Sequence, residues 1–184
     1  MYFMFLAEGF EETEALCPLD LMRRAGIDVR TVGIGGDIIT GAHGITVKAD
    51  MADTDFNFSV GCDGVILPGG MPGTTNLGKS GTVKDALART YSEGGLLAAI
   101  CAAPSVLGSN GYLTGKKAVC FPGFEDKLIG AIYTGKRVET DGSIITAAGM
   151  GVAYEFGLAL VSYIKGHDTA RKLAGSALIP DGMC

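Results

Sequence analysis

Short apolar runs alternate with longer amphipathic stretches along this chain. The short runs are rich in strand-forming residues, and the longer stretches repeat apolar positions with helical spacing. The pattern predicts strands at 2–7, 28–32, 64–67 and 96–100, and helices at 12–24 and 82–93. Strands and helices in this alternation predict an α/β fold, in which a mainly parallel sheet has helices on both faces.

Turn residues predict several further elements. A short β-hairpin is expected at 35–47 and a second one at 137–147, where Asp141-Gly142 forms the turn. The apolar stretch 152–165 predicts a helix, and Asp168 is a suitable N-cap for another helix after it. No repeat or linker divides the chain, so residues 1–184 are expected to form a single domain.

Composition and charge exclude several classes of protein. Apolar residues make up 47% and charged residues 19% of the chain, which is typical of a packed globular protein. The net charge is −5 and no basic cluster exists, so a nucleic-acid partner is not expected. No apolar run approaches the roughly 20 residues that span a bilayer. The N-terminus has no basic segment of a secretory signal, so a cytoplasmic location and no membrane partner are predicted.

The cysteines and histidines argue against disulfides and metals. Cysteines lie at positions 17, 62, 101, 120 and 184, an odd number at wide spacing that favours reduced thiols. The two histidines, His43 and His167, are far apart and have no clustered partner in the sequence. No metal site is therefore expected.

Cys101 is the residue with the strongest indication of chemistry. It directly follows an apolar strand, and Ala102, Ala103 and Pro104 come next. Small neighbours and a Pro that opens a helix are typical of a nucleophile elbow, the sharp turn that points a reactive side chain into a cleft. A helix N-terminus beyond it is expected to lower the Cys101 pKa. The alternative is a buried cysteine that acts only as a small apolar side chain.

Two other segments reach the same edge of the predicted sheet. Glutamates at positions 8, 11, 12 and 14 follow the first strand, and a buried carboxyl among them could exchange a proton with a thiol. The spacing does not decide which glutamate does so. Gly69-Gly70 follows the third strand and could supply backbone N–H donors for an oxyanion.

These motifs together resemble the ThiJ/PfpI superfamily. The resemblance rests on residues 8–14, 22–26, 65–70 and 99–104 in this order and spacing, and it extends from Met1 to about Leu178. It is strongest to the branch of the Parkinson-disease-associated protein deglycase and its bacterial relatives. It implies a flavodoxin-like three-layer α/β/α sandwich and a homodimer. It also implies that Cys101 is the reactive cysteine, Glu14 its carboxylic acid partner, and Gly70 and Ala102 the backbone donors.

The sequence departs from the family pattern at two positions. Many members have a His before a Pro where this chain has Phe121-Pro122, and a phenyl ring cannot act as a base. Protease and amidase activity, including glutamine-amidotransferase-like hydrolysis, is therefore not expected. His43 stands where close relatives often have Arg, on a hairpin that in dimeric relatives approaches the partner's cysteine pocket. It could contribute a titratable group there, or it could be an exposed hairpin histidine.

Two functional hypotheses follow. The first is a cofactor-free glyoxalase or deglycase in which the Cys101 thiolate adds to a small reactive carbonyl such as methylglyoxal. The alternative is a redox-sensing stress or chaperone-type protein in which Cys101 is oxidised and turnover is low. The sequence assigns no role to the other four cysteines.

Overall fold

A central sheet of seven strands organises the molecule. The computed structural model describes residues 1–58 and 61–180. These residues form strands β1 (Tyr2–Leu6), β2 (Val29–Gly33), β3 (Ile38–Thr40), β4 (Thr46–Lys48), β5 (Met51–Ala52), β6 (Gly64–Leu67), β7 (Leu96–Ile100), β8 (Lys117–Ala118), β9 (Ile132–Tyr133), β10 (Val138–Asp141) and β11 (Ile144–Ala147). Strands β3 and β4 pair with each other outside the central sheet, and so do β8 and β9. The sheet order is β10-β11-β7-β6-β1-β2-β5, and only the edge strand β10 runs antiparallel to its neighbour.

Helices cover both faces of this sheet. In the described residues they are α1 (Glu12–Arg24), α2 (Gly73–Lys79), α3 (Gly81–Ser92), α4 (Pro104–Ser109), α5 (Ala153–Lys165) and α6 (His167–Ser176), with 3₁₀ turns at Glu125–Lys127 and Met150–Val152. Helices α1, α5 and α6 pack on one face, and α2, α3 and α4 pack on the other. The predicted flavodoxin-like three-layer α/β/α sandwich with a mainly parallel sheet is confirmed.

The alternation of side chains along β1 shows how one strand serves both cores. Met4 and Leu6 lie in the apolar core beneath α1 and α5, whereas Phe3 and Phe5 lie in the core beneath α2 and α3. Successive side chains of a strand point to opposite faces, so a strand that is buried on both sides has to be apolar throughout.

A glycine allows the helices on one face to pack closely. A Cβ added to Gly157 in α5 would lie 2.7 Å from Leu21 Cδ1 and 2.9 Å from Pro18 Cα of α1. Only a residue without a side chain fits at this distance. This contact fixes the position of α1, whose first turns carry the acidic residues of the candidate site.

Most sequence predictions of secondary structure are confirmed, with shifts of one or two residues at the ends. Both hairpins form, β3 with β4 and β10 with β11. The prediction for Asp168 is wrong, because α6 begins at His167 and Gly166 occupies the N-cap position with φ +87°. Within the described residues, no helix is long and apolar enough to cross a membrane.

Candidate active site

The candidate site lies at the carboxyl edge of the sheet, where four strands end. Cys101 follows β7, Gly69-Gly70 follows β6, and the segment between β1 and α1 leads to Glu14. The end of β11 provides a fourth contact, because Ala147 O accepts a hydrogen bond of 2.9 Å from the Cys101 N–H. Ligand sites of open parallel sheets form at this edge.

The backbone of Cys101 has the conformation of a nucleophile elbow. Its φ is +64°, a region that non-glycine residues rarely occupy and that is frequent at functional sites. The Cys101 carbonyl accepts a 2.8 Å hydrogen bond from the Phe121 N–H. Bonds on both sides of the residue hold this turn, and the side chain remains half-buried.

Glu14 is the buried acid of the site. Its side chain is almost completely buried, with 1% exposure, and Oε2 accepts a 3.0 Å hydrogen bond from the Gly69 N–H. Among the described residues no nitrogen or oxygen hydrogen-bonds to Oε1, and the carboxyl interacts with the Cys101 thiol. The structure therefore brings together the two side chains that the resemblance implies.

Gly69 makes this contact possible. A Cβ at position 69 would lie 2.5 Å from Glu14 Oε2 and 2.7 Å from Cys101 Cβ. In the sequence, the position of Gly69 after a buried strand predicts a backbone donor and gives no sign that the missing side chain makes room for Glu14 and Cys101. The glycine therefore supplies both a donor and the space for the acid and thiol.

The pKa values of the two groups are linked. Burial raises the pKa of Glu14 to about 7, although hydrogen bonds from Cys101 and the Gly69 N–H act in the opposite direction. Burial and the Glu14 charge raise the pKa of Cys101 to about 12. Because the two groups repel each other when both are ionised, the pair loses its protons in two separate steps. Between about pH 7 and pH 12 it therefore holds one proton and one negative charge.

The prediction that a helix N-terminus lowers the Cys101 pKa is wrong, because that pKa is raised. Helix α4 begins three residues after Cys101 and contains only six residues. Burial and the Glu14 charge raise the Cys101 pKa instead. The backbone N–H groups of Ala102 and Gly70 do lower the Cys101 pKa, as hydrogen-bond donors to the sulfur.

Gly70 is held in place by backbone contacts with the segment before α1. Its φ is +87°, and an added Cβ would overlap the Glu11 nitrogen. The Glu11 N–H donates a 3.0 Å hydrogen bond to Gly69 O, and the Gly73 N–H donates a 3.1 Å bond to Gly9 O. These two loops fix the direction of the Gly70 N–H toward Cys101.

His43 lies beside a different glutamate. Its Nδ1 is 2.9 Å from Glu12 Oε2 and 3.3 Å from Glu11 Oε2, and the imidazole is 69% exposed. Glu12 Oε1 accepts hydrogen bonds from the backbone N–H groups of His43, at 2.7 Å, and Ile45, at 3.3 Å. Burial raises the pKa of Glu12, but these hydrogen bonds outweigh burial and lower it to about 2. The hydrogen bond to Glu12 in turn raises the pKa of His43.

Glu11, Glu12 and His43 are also the side chains whose geometry could suit a metal ion. Within the described part of the chain, only these three place possible ligand atoms within 4.8 Å of one another. The hydrogen bond between His43 and Glu12 already accounts for their proximity. The expectation of no metal site stays a prediction.

Phe121 occupies a position next to the candidate nucleophile. Besides its backbone bond to Cys101, its ring lies close to Gly149, where an added Cβ would be 3.1 Å from Phe121 Cδ2. The ring is 47% exposed. Both histidines of the chain are described, and they bind elsewhere: His43 binds Glu12, and His167 Nδ1 is 2.8 Å from Ser162 Oγ. No imidazole in the described residues therefore serves Cys101 as a base.

Three other cysteines of the described residues, Cys17, Cys62 and Cys120, pack against the apolar cores. Burial raises the pKa values of Cys17 and Cys120 to about 11, and it also raises the pKa of Cys62. Thr90 Oγ1 donates a 3.1 Å hydrogen bond to Cys62 Sγ. Cys184 lies outside the described residues.

Comparison with known proteins decides the family. The DJ-1/PfpI family matches residues 2–163 of the sequence. The chain belongs to the DJ-1/PfpI family. One DJ-1/PfpI relative, the Parkinson disease protein 7 homolog of Danio rerio, is 35% identical over 182 residues, which cover 97% of this chain and 96% of the relative. The resemblance found in the sequence is thereby confirmed.

Two further members of the DJ-1/PfpI family bear on function. The glutathione-independent glyoxalase DJR-1.2 of Caenorhabditis elegans is 30% identical over 168 residues, which cover 90% of this chain and 89% of that protein. The solved structure of oxidised Toxoplasma gondii DJ-1 has a TM-score of 0.92 and 33% identity, and the match covers 96% of this chain and 97% of that one. This DJ-1/PfpI protein is thus similar to a named glyoxalase and to a DJ-1 solved in an oxidised form.

Proposed function

We propose that this DJ-1/PfpI protein is a cysteine-dependent enzyme of small reactive carbonyls, a glyoxalase or deglycase acting on compounds such as methylglyoxal. The observation that carries this proposal is the buried pair of Glu14 and Cys101, which shares one proton near neutral pH. The named glyoxalase among the relatives supports the same reaction class. No cofactor is required.

The first step joins the thiol to the aldehyde. The Cys101 sulfur attacks the aldehyde carbon, and the Glu14 carboxylate accepts the thiol proton as the S–C bond forms. Glu14 then gives this proton to the carbonyl oxygen, which completes a hemithioacetal. The N–H groups of Gly70 and Ala102 stabilise the negative charge that develops on that oxygen.

The second step moves a proton between adjacent carbons. The Glu14 carboxylate removes the proton from the carbon bonded to sulfur, which forms an enediol once the neighbouring carbonyl oxygen takes up this proton. The neighbouring carbon then gains a proton through Glu14 while the hydroxyl on the sulfur-bearing carbon loses its own, so the hemithioacetal becomes a thioester. Water cleaves the thioester, which releases a 2-hydroxy acid and restores the Cys101 thiol. Overall, one carbonyl compound and one water form one 2-hydroxy acid, so the reaction needs no external oxidant or reductant.

We infer the assembly and location of the protein from the family resemblance, from its mean hydropathy and from its free cysteines. The homodimer is supported by a mean hydropathy of +0.31, and a partner subunit would place His43 near the second pocket. The four cysteines of the described residues are free, which fits the cytoplasm. We also propose that residues 1–184 form a single domain.

Lactate formation from methylglyoxal tests the proposal. The wild type should form lactate, and Cys101→Ser should reduce the rate to that of the uncatalysed reaction. Cys17→Ser is the matched control, because it removes another half-buried thiol and should retain activity. A wild type that forms no lactate, or a Cys101→Ser variant that still does, would exclude this function.

A redox role for Cys101 is the second candidate. A protonated carboxyl at Glu14 and the two backbone N–H donors could stabilise a sulfinate, and one similar DJ-1 structure is an oxidised form. Graded peroxide followed by peptide mass spectrometry should find Cys101 oxidised before Cys17, because hydrogen-bond donors that can hold an oxidised sulfur surround Cys101, whereas Cys17 lies beside the charge of Asp20. Oxidation at Cys101 in a protein without carbonyl turnover would favour this candidate over the first.

A further inference from the structure

A cavity separate from the Cys101 site lies between α5, α6 and the edge strand β10. It has a volume of about 440 Å³, within the range of small-molecule binding sites. None of the residues that line it belongs to the site around Cys101.

The floor of the cavity is apolar. Leu158 and Ala159 of α5 and Ala170 of α6 line it, and Leu158 and Ala170 are buried in the core beneath them. A ligand that fills the cavity therefore needs an apolar body, since a fully polar one would lose its hydration without gaining partners.

Hydrogen-bond donors and a cation stand at one side of this floor. His167 and Arg171 are four residues apart in α6, so they lie on the same face of the helix. The Nδ1 atom of His167 is 2.8 Å from Ser162 Oγ, which also lines the cavity. Within residues 1–58 and 61–180, Arg171 forms no ion pair within 4 Å and no side-chain hydrogen bond.

The acidic residue of the cavity is already neutralised. Glu155 Oε1 accepts hydrogen bonds of 2.6 Å from Arg137 Nη2 and 2.9 Å from Arg137 Nε. This two-pronged ion pair leaves the positive charge of Arg171 as the uncompensated charge of the cavity. In a protein with a net charge of −5, such a cation facing an apolar cavity favours an anionic ligand.

We propose that this cavity binds a small monocarboxylate with an aromatic or branched apolar body. The carboxylate pairs with the Arg171 guanidinium, whose planar donors match two carboxylate oxygens, and His167 provides a further donor. The apolar body lies on Leu158, Ala159 and Ala170. The proposal is independent of the chemistry at Cys101.

Binding of 3-phenylpropionate tests this proposal on the full chain. Calorimetric titration should show saturable 1:1 binding with a Kd on the order of 1 mM. The alcohol 3-phenyl-1-propanol, which has the same body without the charge, should bind at least about tenfold more weakly. Acetate, which has the charge without the body, should show no saturation in this range.

Variants locate the site. Arg171→Gln should weaken binding about tenfold or more, whereas Lys172→Gln, which removes a charge from the next residue of the same helix, should change it less than about twofold. Ala159→Leu should fill the floor and prevent binding. Cys101→Ser should bind as the wild type does.

Three results would overturn the proposal: no saturable binding, equal affinity for the alcohol, or equal effects of Arg171→Gln and Lys172→Gln. Thermal unfolding of each variant shows whether the fold is retained. If Ala159→Leu unfolds, the comparison of Arg171→Gln with Lys172→Gln still decides the matter, because both positions are exposed.

Discussion

Glu12 and Glu14 lie two residues apart in the first turns of one helix, and both carboxyl groups are buried. Glu12 is 5% exposed and Glu14 is 1% exposed. Nevertheless the pKa of Glu12 is lowered to about 2, and that of Glu14 is raised to about 7. Burial raises both pKa values, but it acts more strongly on the more deeply enclosed Glu14, and the partners of the two carboxyl groups widen the difference.

The partners of Glu12 stabilise its charged form. Backbone N–H groups and an imidazole that can carry a positive charge point at its oxygens. Glu14 has one backbone N–H and a neutral thiol as partners, and the neighbouring charge of Glu11 opposes its ionisation. The same residue type therefore becomes a permanent anion at one position and a proton carrier at the other.

The largest expected effect is on carbonyl turnover. Glu14→Gln removes the proton carrier and should reduce lactate formation by about 100-fold to 10,000-fold. Glu12→Gln should reduce it by less than about tenfold, because Glu12 does not contact Cys101. Methylglyoxal kinetics on both variants measure the difference.

Glu14→Gln should speed the alkylation of Cys101 although it slows carbonyl turnover. Without the Glu14 charge the pKa of Cys101 falls, so alkylation of Cys101 by iodoacetamide at mildly alkaline pH should be faster in Glu14→Gln than in the wild type. If turnover and alkylation both decrease, Glu14 acts by positioning the thiol, and its assignment as proton carrier fails.

The next effect is steric and concerns the two glycines that touch these carboxyls. An alanine at Gly69 would collide with Glu14 Oε2 and Cys101 Cβ, and one at Gly41 would collide with the Glu12 carboxyl. Gly69→Ala should reduce turnover about 100-fold, because reacting groups lose rate steeply when displaced by about 1 Å. Gly41→Ala should leave turnover within about tenfold of the wild type, although both variants should lose about 1–3 kcal/mol of stability. Equal losses of turnover would show that the two carboxyls form one functional unit.

The pH dependence of stability should have opposite signs for the two glutamates. Between its ordinary pKa of 4.5 and about 7, native Glu14 holds a proton that the unfolded chain has lost. The free energy of unfolding therefore falls by about 3 kcal/mol as the pH rises through this window. For Glu12 the free energy of unfolding falls as the pH drops from 4.5 toward about 2. That loss should be only about 1 kcal/mol, because its partner His43 is exposed to solvent screening.

Urea unfolding at several pH values separates the two contributions. The stability difference between the wild type and Glu14→Gln should change between about pH 5 and about pH 8. The difference between the wild type and Glu12→Gln should shrink below about pH 4, and it should shrink again as the pH rises past 6.5, where His43 loses the proton that Glu12 stabilises. Parallel curves for the two variants would contradict the assignment of opposite shifts.

The sequence predicts the fold, and the resemblance predicts that Glu14 lies beside Cys101, but neither predicts the electrostatics of this pair. Hydrophobic periodicity and the turn glycines locate the sheet, because burial on both faces demands apolar strands. The contact of His43 with Glu12 is not predictable, since 31 residues separate them and a hairpin brings them together. The raised pKa of Cys101 escapes prediction for a similar reason, because it depends on how deeply Glu14 is buried beside it.

The smallest expected effect comes from placing an imidazole beside Glu14 and Cys101, as the imidazole of His43 lies beside Glu12. Phe121 is adjacent to Cys101 through its backbone, and its half-exposed ring has room for an imidazole. Phe121→His should lower the first pKa of the pair by about one unit, because a nearby cation favours the charged form and solvent screens part of the effect. Cys101 alkylation near pH 6 should then be about fivefold faster than in the wild type, because about half of the pairs carry the negative charge instead of about one in ten. Phe121→Leu, which removes the ring without adding a base, should leave the alkylation profile unchanged. If both variants shift the profile equally, the Phe121 ring acts by controlling access to the thiol. The lack of a cationic partner would then not explain why the pKa of Glu14 differs from that of Glu12.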